Sequence, residues 1–126
     1  MGKSGVIRAT AAAIALAVAQ PSTAADPTSL ATGNELLLTC SADATPSFWS
    51  CSSYIDGVHM TVLMFDYYAV SPKPYCLAPG VTKGQMIDII VTYLRAHPEV
   101  RHRPSPGLIT MAFRGAFPCP TAKSVK

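Results

Sequence analysis

The four cysteines are the residues of this chain with the most informative chemistry. Cys40, Cys51, Cys76 and Cys119 include no C-x-x-C pair, which argues against both a thioredoxin-like redox site and a zinc knuckle. Two chemistries remain for them: a nucleophilic thiolate activated by a histidine, or structural disulfides. An even number of cysteines in a short exported chain favours disulfides, so the choice depends on whether this chain is exported.

Other residue types that carry chemistry are present, but not in catalytic patterns. The sequence has no G-x-S-x-G, no H-E-x-x-H and no phosphate-binding glycine loop. His97 and His102 approach the spacing of a zinc pair, but a proline interrupts them and no second pair accompanies them, so we interpret them as helix-end histidines. We interpret His59 as a packed or exposed helix residue, and nothing marks Asp56 and Asp66 as an acid and base. We therefore expect no cofactor, no metal and no enzymatic activity.

Residues 1–25 have the pattern of a secretory signal peptide. Lys3 and Arg8 give a positive start, residues 9–19 carry no charge, and Thr23-Ala24-Ala25 offers the small residues that a signal peptidase accepts. We place cleavage after Ala25, with Ala24 as the alternative. A membrane anchor competes with this interpretation, but the apolar run is too short for a bilayer core that needs about 20 residues. The expected location is the periplasm, where the cysteines pair as disulfides.

Removing the leader changes the charge balance. The chain has ten basic and seven acidic residues. Without Lys3 and Arg8 eight basic residues remain, a net charge of about +1. The mature chain, residues 26–126, has the length of a single domain. Its weak net charge and its export argue against a nucleic-acid partner, and we expect no membrane association once the leader is gone.

Two groups of residues are candidate contacts with a protein partner. Arg101 and Arg103 lie on a basic connection bounded by prolines, in the part of the chain where the basic residues concentrate. Segregated charge of this kind can steer a charged partner, although solvated faces that happen to segregate explain it as well. Phe48 and Trp49 suit an exposed aromatic anchor, and the alternative is a hydrophobic cap on the second helix.

The elements that position these residues are predicted to be four helices. Thr32 with Glu35 and Thr82 with Gln85 form capping boxes that begin the first and third helices. The first helix carries an apolar face up to Cys40, and the third ends near His97 because a proline follows.

The second and fourth helices are predicted from apolar residues at steps of three and four. The second spans residues 48–68, and Gly57 within it is expected to mark a close approach between helices. A strand over residues 61–70 is the alternative, but strict alternation fails there. Ser105 is expected to cap the fourth helix, with Pro106 at its first position and Ala116 near its end.

The order of these helices predicts how the cysteines pair. Four helices with short connections pack up-down-up-down, which places Cys40 and Cys51 at one end of the bundle. Cys76 and Cys119 lie at the opposite end. The pairing Cys40–Cys51 and Cys76–Cys119 therefore requires the least distortion of the chain, and the predicted fold is an all-α four-helix bundle with two disulfides.

Several segments resemble the Rap/Tai immunity proteins, which are periplasmic helical proteins linked to type VI secretion. The resemblance covers roughly residues 33–120, the core of the predicted domain. It is carried by Gly33-Asn34-Glu35-Leu36-Leu37 with Cys40, Cys51 with Tyr54-Ile55-Asp56-Gly57-Val58, Cys76-Leu77-Ala78-Pro79 with Val81-Thr82 and Gln85, Tyr93-Leu94-Arg95-Ala96-His97-Pro98-Glu99, and Ala116-Phe117-Pro118-Cys119-Pro120. The chain departs from the family after Val58, where His59-Met60-Thr61 stands in place of an early acidic residue.

The resemblance implies a binding protein that inhibits a secreted effector toxin, typically a peptidoglycan amidase. It also implies that a homodimer is an expected state, since homodimers occur in the family. The alternatives are a periplasmic acid-stress chaperone, another small secreted binding protein, and an enzyme. A chaperone of that type must expose apolar surface when its carboxylates are protonated, and this chain offers only seven.

Overall fold

The computed structural model describes Gly2 and residues 29–120. Outside the described residues lie the expected signal peptide (except Gly2) with its cleavage site, residues 26–28, and the tail 121–126. Within residues 29–120 there are four α-helices and no strand, apart from one isolated bridge between Thr32 and Pro104. The helices are α1 (Gly33–Cys40), α2 (Thr45–Tyr67), α3 (Lys83–Ala96) and α4 (Ser105–Ala116), with a 3-10 turn at Pro98–Val100. The prediction of an all-helical fold is confirmed.

Both predicted capping boxes are present. The Thr32 amide donates to the Glu35 carboxylate at 2.8 Å, and the Glu35 amide donates back to the Thr32 hydroxyl at 3.4 Å. The same exchange joins Thr82 and Gln85, at 2.8 Å and 3.2 Å. Each box satisfies amides that have no partner within the helix, so the starts of α1 and α3 follow from local sequence.

The other two helix starts differ from the prediction. Helix α2 begins at Thr45 rather than Phe48, with Pro46 in its first turn. A proline is tolerated there because its missing N–H would have no helical partner. Helix α4 begins at Ser105 itself, Pro104 is its N-cap, and no side chain caps it. The expected Ser105 cap was wrong, because the Ser105 side chain is fully buried and bonds elsewhere.

One apolar core joins all four helices. Leu36 from α1 and Ile55 from α2 meet a larger set from α3 and α4, and the core also takes in Tyr75 from the connection between α2 and α3. The α3 and α4 members are Met86, Ile87, Ile90, Val91, Leu94, Leu108, Ile109, Ala112 and Phe113. Phe113 stacks edge to face on Tyr75, with ring centroids 5.2 Å apart.

Two disulfides close the ends of this bundle. Cys40 at the end of α1 bonds Cys51 in the first turns of α2, and Cys76 bonds Cys119 just beyond α4. The predicted pairing is confirmed, and no free cysteine remains among the described residues. In residues 29–120 no helix has both the length and the hydropathy needed to span a membrane.

Candidate interaction surface

The residues considered for catalysis are separated in the structure. Asp56 pairs with Lys83 and Asp66 pairs with Lys73, so the two carboxylates serve different ion pairs. The Nδ1 of His97 lies 3.1 Å from the Glu99 carboxylate. Across residues 29–120, no three histidine, cysteine or acidic side chains cluster in a way that would hold a metal ion. The two aspartates and His97 therefore lie in three separate pairs.

Of the two candidate arginines, only Arg101 has a side chain that forms hydrogen bonds within the described residues. The Arg101 guanidinium donates to the Leu94 carbonyl at 2.5 Å and to the Arg95 carbonyl at 3.0 Å. These carbonyls lie in the last turn of α3, where no helical amide reaches them, so Arg101 completes the end of that helix. The Arg103 side chain is exposed, while its carbonyl accepts from the Gly33 amide at 3.1 Å.

The candidate aromatic anchor is exposed. Phe48 and Trp49 are packed edge to face with ring centroids 5.4 Å apart, and Trp49 is 58% exposed. They lie in the first turns of α2, next to the Cys40–Cys51 disulfide. No ring contact or hydrogen bond in residues 29–120 brings this pair against Arg101 or Arg103.

A concave surface lies between α2 and α4, and we call it the α2/α4 groove. It has a volume of about 900 Å³ and is open to solvent along its length. None of its lining residues is charged. From α2 they are Ser53, Tyr54, Gly57, Val58, Thr61, Val62 and Phe65, and from α4 they are Pro106, Gly107, Thr110 and Met111.

Three of the four hydroxyl groups that line the groove, all but that of Ser53, have partners inside the protein. Thr61 donates to the Gly57 carbonyl at 2.8 Å, and Thr110 donates to the Pro106 carbonyl at 2.9 Å. The Tyr54 hydroxyl lies 2.7 Å from the Ser105 hydroxyl. Since these groups are satisfied, the groove offers little polar recognition and chiefly an apolar surface.

Two glycines form open positions on the walls of this groove. A Cβ added at Gly57 or at Gly107 would meet nothing within 4 Å. The expectation that Gly57 marks a close approach between helices was therefore wrong. The glycine in close contact is Gly33, where an added Cβ would lie 2.5 Å from the Leu108 side chain and 3.0 Å from the Arg101 backbone.

Large exposed apolar side chains follow each other at the end of α2, where Phe65 also lines the groove. Phe65 and Met64 are almost half exposed, and Tyr67 and Tyr68 pack edge to face with exposures of 81% and 67%. The chain leaves the helix through Ala69, whose φ is 54°. Exposed apolar side chains grouped in one segment are a feature of interaction sites.

Behind this surface, His59 contacts the core. Its Nδ1 lies 3.0 Å from the Tyr75 hydroxyl, and the two rings stack with centroids 5.7 Å apart. Burial lowers the pKa of His59 because the charged imidazolium loses water. Burial also raises the pKa of Tyr75 to about 12. In its neutral form, His59 therefore links α2 to the connection that follows this helix. His59 is also the first residue of the segment in which this chain departs from the pattern of the family it resembles.

A buried hydroxyl pair fixes the start of the described chain against α4. The Ser105 hydroxyl donates to the Leu30 carbonyl, so the Tyr54 hydroxyl must donate to Ser105, which has only one proton. The Ser105 amide also donates to the Ala31 carbonyl at 2.9 Å. One side of the groove is thereby fastened to the N-terminal segment.

The sequence pattern did not lead us to predict the α2/α4 groove. The available signal was α2 itself, which is apolar on more than one face: Ile55 and Cys51 are buried while Met60 and Met64 are exposed. A helix that is apolar around its circumference has more apolar surface than a single core can cover.

Comparison with known protein families gives one match. The model of the Rap1a immunity proteins matches residues 32–119. Neither curated proteins nor solved structures gave a match. The match confirms the resemblance seen in the sequence and spans the helices, both disulfides and the groove. The chain belongs to the Rap1a immunity protein family.

Proposed function

We propose that this protein is a periplasmic immunity protein that binds and inhibits a cognate type VI secretion effector, such as a peptidoglycan amidase. Family membership supports the coarser statement, an immunity protein against a secreted effector. The observation that carries the binding role is the uncharged apolar surface that α2 leaves exposed beside α4.

The scaffold suits inhibition by binding. Two disulfides close loops at both ends of the bundle, and the hydrogen bond between the Tyr54 and Ser105 hydroxyls joins the two helices that form the groove. A surface that is ordered before binding loses less conformational entropy when the complex forms. The disulfides and the family together also support export through the leader at residues 1–25.

Further contacts are proposed at the Phe48–Trp49 pair and at Arg103, all of which are exposed. Arg101 is retained as a candidate contact, although its guanidinium is engaged at the end of α3. A homodimer, a state that occurs among members of the family, is also proposed for this protein. Its mass in solution, measured by light scattering, tests that proposal.

The decisive experiment uses the effector toxin encoded beside this gene. The purified mature protein is titrated into that effector while peptidoglycan hydrolysis is followed. We expect inhibition that saturates at a fixed stoichiometry, and hydrolysis unchanged by excess protein would contradict immunity. Apolar dye binding that is the same at pH 7 and pH 2.5 would in addition exclude the acid-stress chaperone.

A further inference from the structure

The charged residues of α2 and α4 indicate which kind of partner the α2/α4 groove would bind. Helix α2 contains two charged residues, Asp56 and Asp66, and a lysine neutralises each. Helix α4 contains only Arg114, which has no acidic partner among residues 29–120. Arg114 lies one turn beyond Thr110 and Met111, at the spacing that places residues on the same face of a helix. The groove is thus neutral along its length, with one uncompensated positive charge near its end.

The dimensions and lining favour a helix as the occupant. From Tyr54 to Phe65 the α2 wall rises about 16 Å, which is about three helical turns. The open positions at Gly57 and Gly107 allow another backbone to come close. Three of the four hydroxyl groups in the lining are engaged internally. A bound segment must therefore satisfy most of its own backbone polar groups, and a helix does so.

We propose that the α2/α4 groove binds an apolar face of an α-helix of the effector, with an acidic residue of that helix near Arg114. The inference rests on the proposed function, because the effector is the partner it names. A second copy is a poorer match, since a two-fold interface brings the same face against itself and the two acids of α2, Asp56 and Asp66, are already paired with lysines. An acyl chain is also a poorer match, because the open groove would leave much of it in water.

The test measures binding of the effector encoded beside the gene to the mature protein and its variants. Gly57→Leu and Gly107→Leu fill the groove without a clash at Cβ, and we expect each to raise Kd about tenfold or more. Thr92→Leu adds a similar side chain on the exposed face of α3 and should change Kd less than about twofold. Thermal unfolding confirms that each variant folds.

Charge is tested by a matched pair of arginines, each in the last turn of its helix. Arg114→Glu should raise Kd about fivefold with a reduced dependence on salt. Arg95→Glu makes the same change at the end of α3, and it should leave Kd nearly unchanged.

Each other outcome overturns the inference. Equal Kd values for the wild type and all variants would show that the groove is not part of the interface, while the proposed immunity function would still hold. No binding by the wild type would remove the proposed function as well. A Gly57→Leu variant that turns a dimer into a monomer without weakening effector binding would assign the groove to a second copy. Binding of a fluorescent fatty acid that Gly57→Leu abolishes and the effector does not displace would assign it to a lipid.

Discussion

Two helical glycines show how differently two regions of this bundle are used. Gly33 begins α1 against the segment before α4, where a single added carbon would meet Leu108 and the Arg101 backbone. Gly57 lies in the middle of α2, where the same carbon would meet nothing within 4 Å. The first glycine is required by packing within the chain. The second leaves surface that the chain itself does not fill.

The regions around Gly33 and Gly57 do not differ in hydrogen bonding, but they differ in whether apolar side chains of the same chain cover them. Around Gly33, backbone amides of residues 33 and 34 donate to the carbonyls of Arg103 and Arg101 at 3.1 Å and 3.0 Å. Around Gly57, the hydroxyl of Thr61 is equally engaged. Both regions are well bonded, yet only the first is covered by apolar side chains. The groove is therefore an ordered surface left open, which is what a binding protein needs.

The largest effect on the packed region is expected from the Cys76–Cys119 disulfide. The variant Cys76→Ser/Cys119→Ser opens a long loop and should lower the free energy of unfolding by about 4 kcal/mol in the chain-entropy model. The variant Cys40→Ser/Cys51→Ser opens a short loop and should lose about 3 kcal/mol. Urea unfolding followed by circular dichroism measures both. Unfolding midpoints that match the wild type would show that the disulfides do not brace the fold.

One alanine substitution at each glycine should affect stability in opposite directions. Gly33→Ala should destabilise the protein by about 1–3 kcal/mol, because the added carbon would displace the buried Leu108 side chain and press on the Arg101 backbone. Gly57→Ala should stabilise it by up to about 1 kcal/mol through helix propensity. Thermal melts of the two variants should therefore shift in opposite directions. A shift in the same direction would break the distinction between the two regions.

An effect no larger than that of Gly33→Ala is expected at the buried hydroxyl pair of Tyr54 and Ser105. Ser105→Ala removes the donor to the Leu30 carbonyl and the acceptor of Tyr54, which should cost about 1–3 kcal/mol. Tyr54→Phe leaves the Ser105–Leu30 bond in place and should cost about 1 kcal/mol. Denaturant unfolding of both single variants and the double variant gives the coupling. Equal costs for the two single variants would contradict the order of donation.

The smallest effect concerns pH and His59. Its pKa is lowered in the folded protein, so the unfolded chain takes up a proton first as pH falls below about 6.5. The contribution of neutral His59 is complete above that pH and is lost as pH falls through the lower folded pKa. Melting temperatures of wild type and His59→Gln from about pH 8 to about pH 5 should show a smaller decrease in the variant.

Acidic groups act in a separate, lower range. Hydrogen bonds within the capping box lower the pKa of Glu35, and a hydrogen bond from its own amide and one with His97 lower that of Glu99. Their contributions are lost only as pH falls below 4.5. A decrease between pH 8 and pH 5 that persists in His59→Gln would show that another group is responsible.

Local sequence was sufficient where a few neighbouring residues decide the structure. The boxes at Thr32 and Thr82 fixed two helix starts, and apolar periodicity located all four helices. Local reasoning failed at Ser105, whose type suits a cap but whose side chain is buried against Tyr54, 51 residues away in sequence. It failed at Gly57 for the same reason, since the space around a helical glycine depends on a distant helix.

What the sequence alone determined is the class of the molecule: an all-helical domain with two disulfides, paired as the order of its helices requires, in a family recognised from its own motifs. These properties follow from spacing and residue type, which the chain carries locally. Tertiary structure alone decided which glycine is packed, which arginine completes a helix end, and which apolar face of α2 stays uncovered. Each depends on contacts between distant segments, because burial is a property of the assembled core rather than of any one segment.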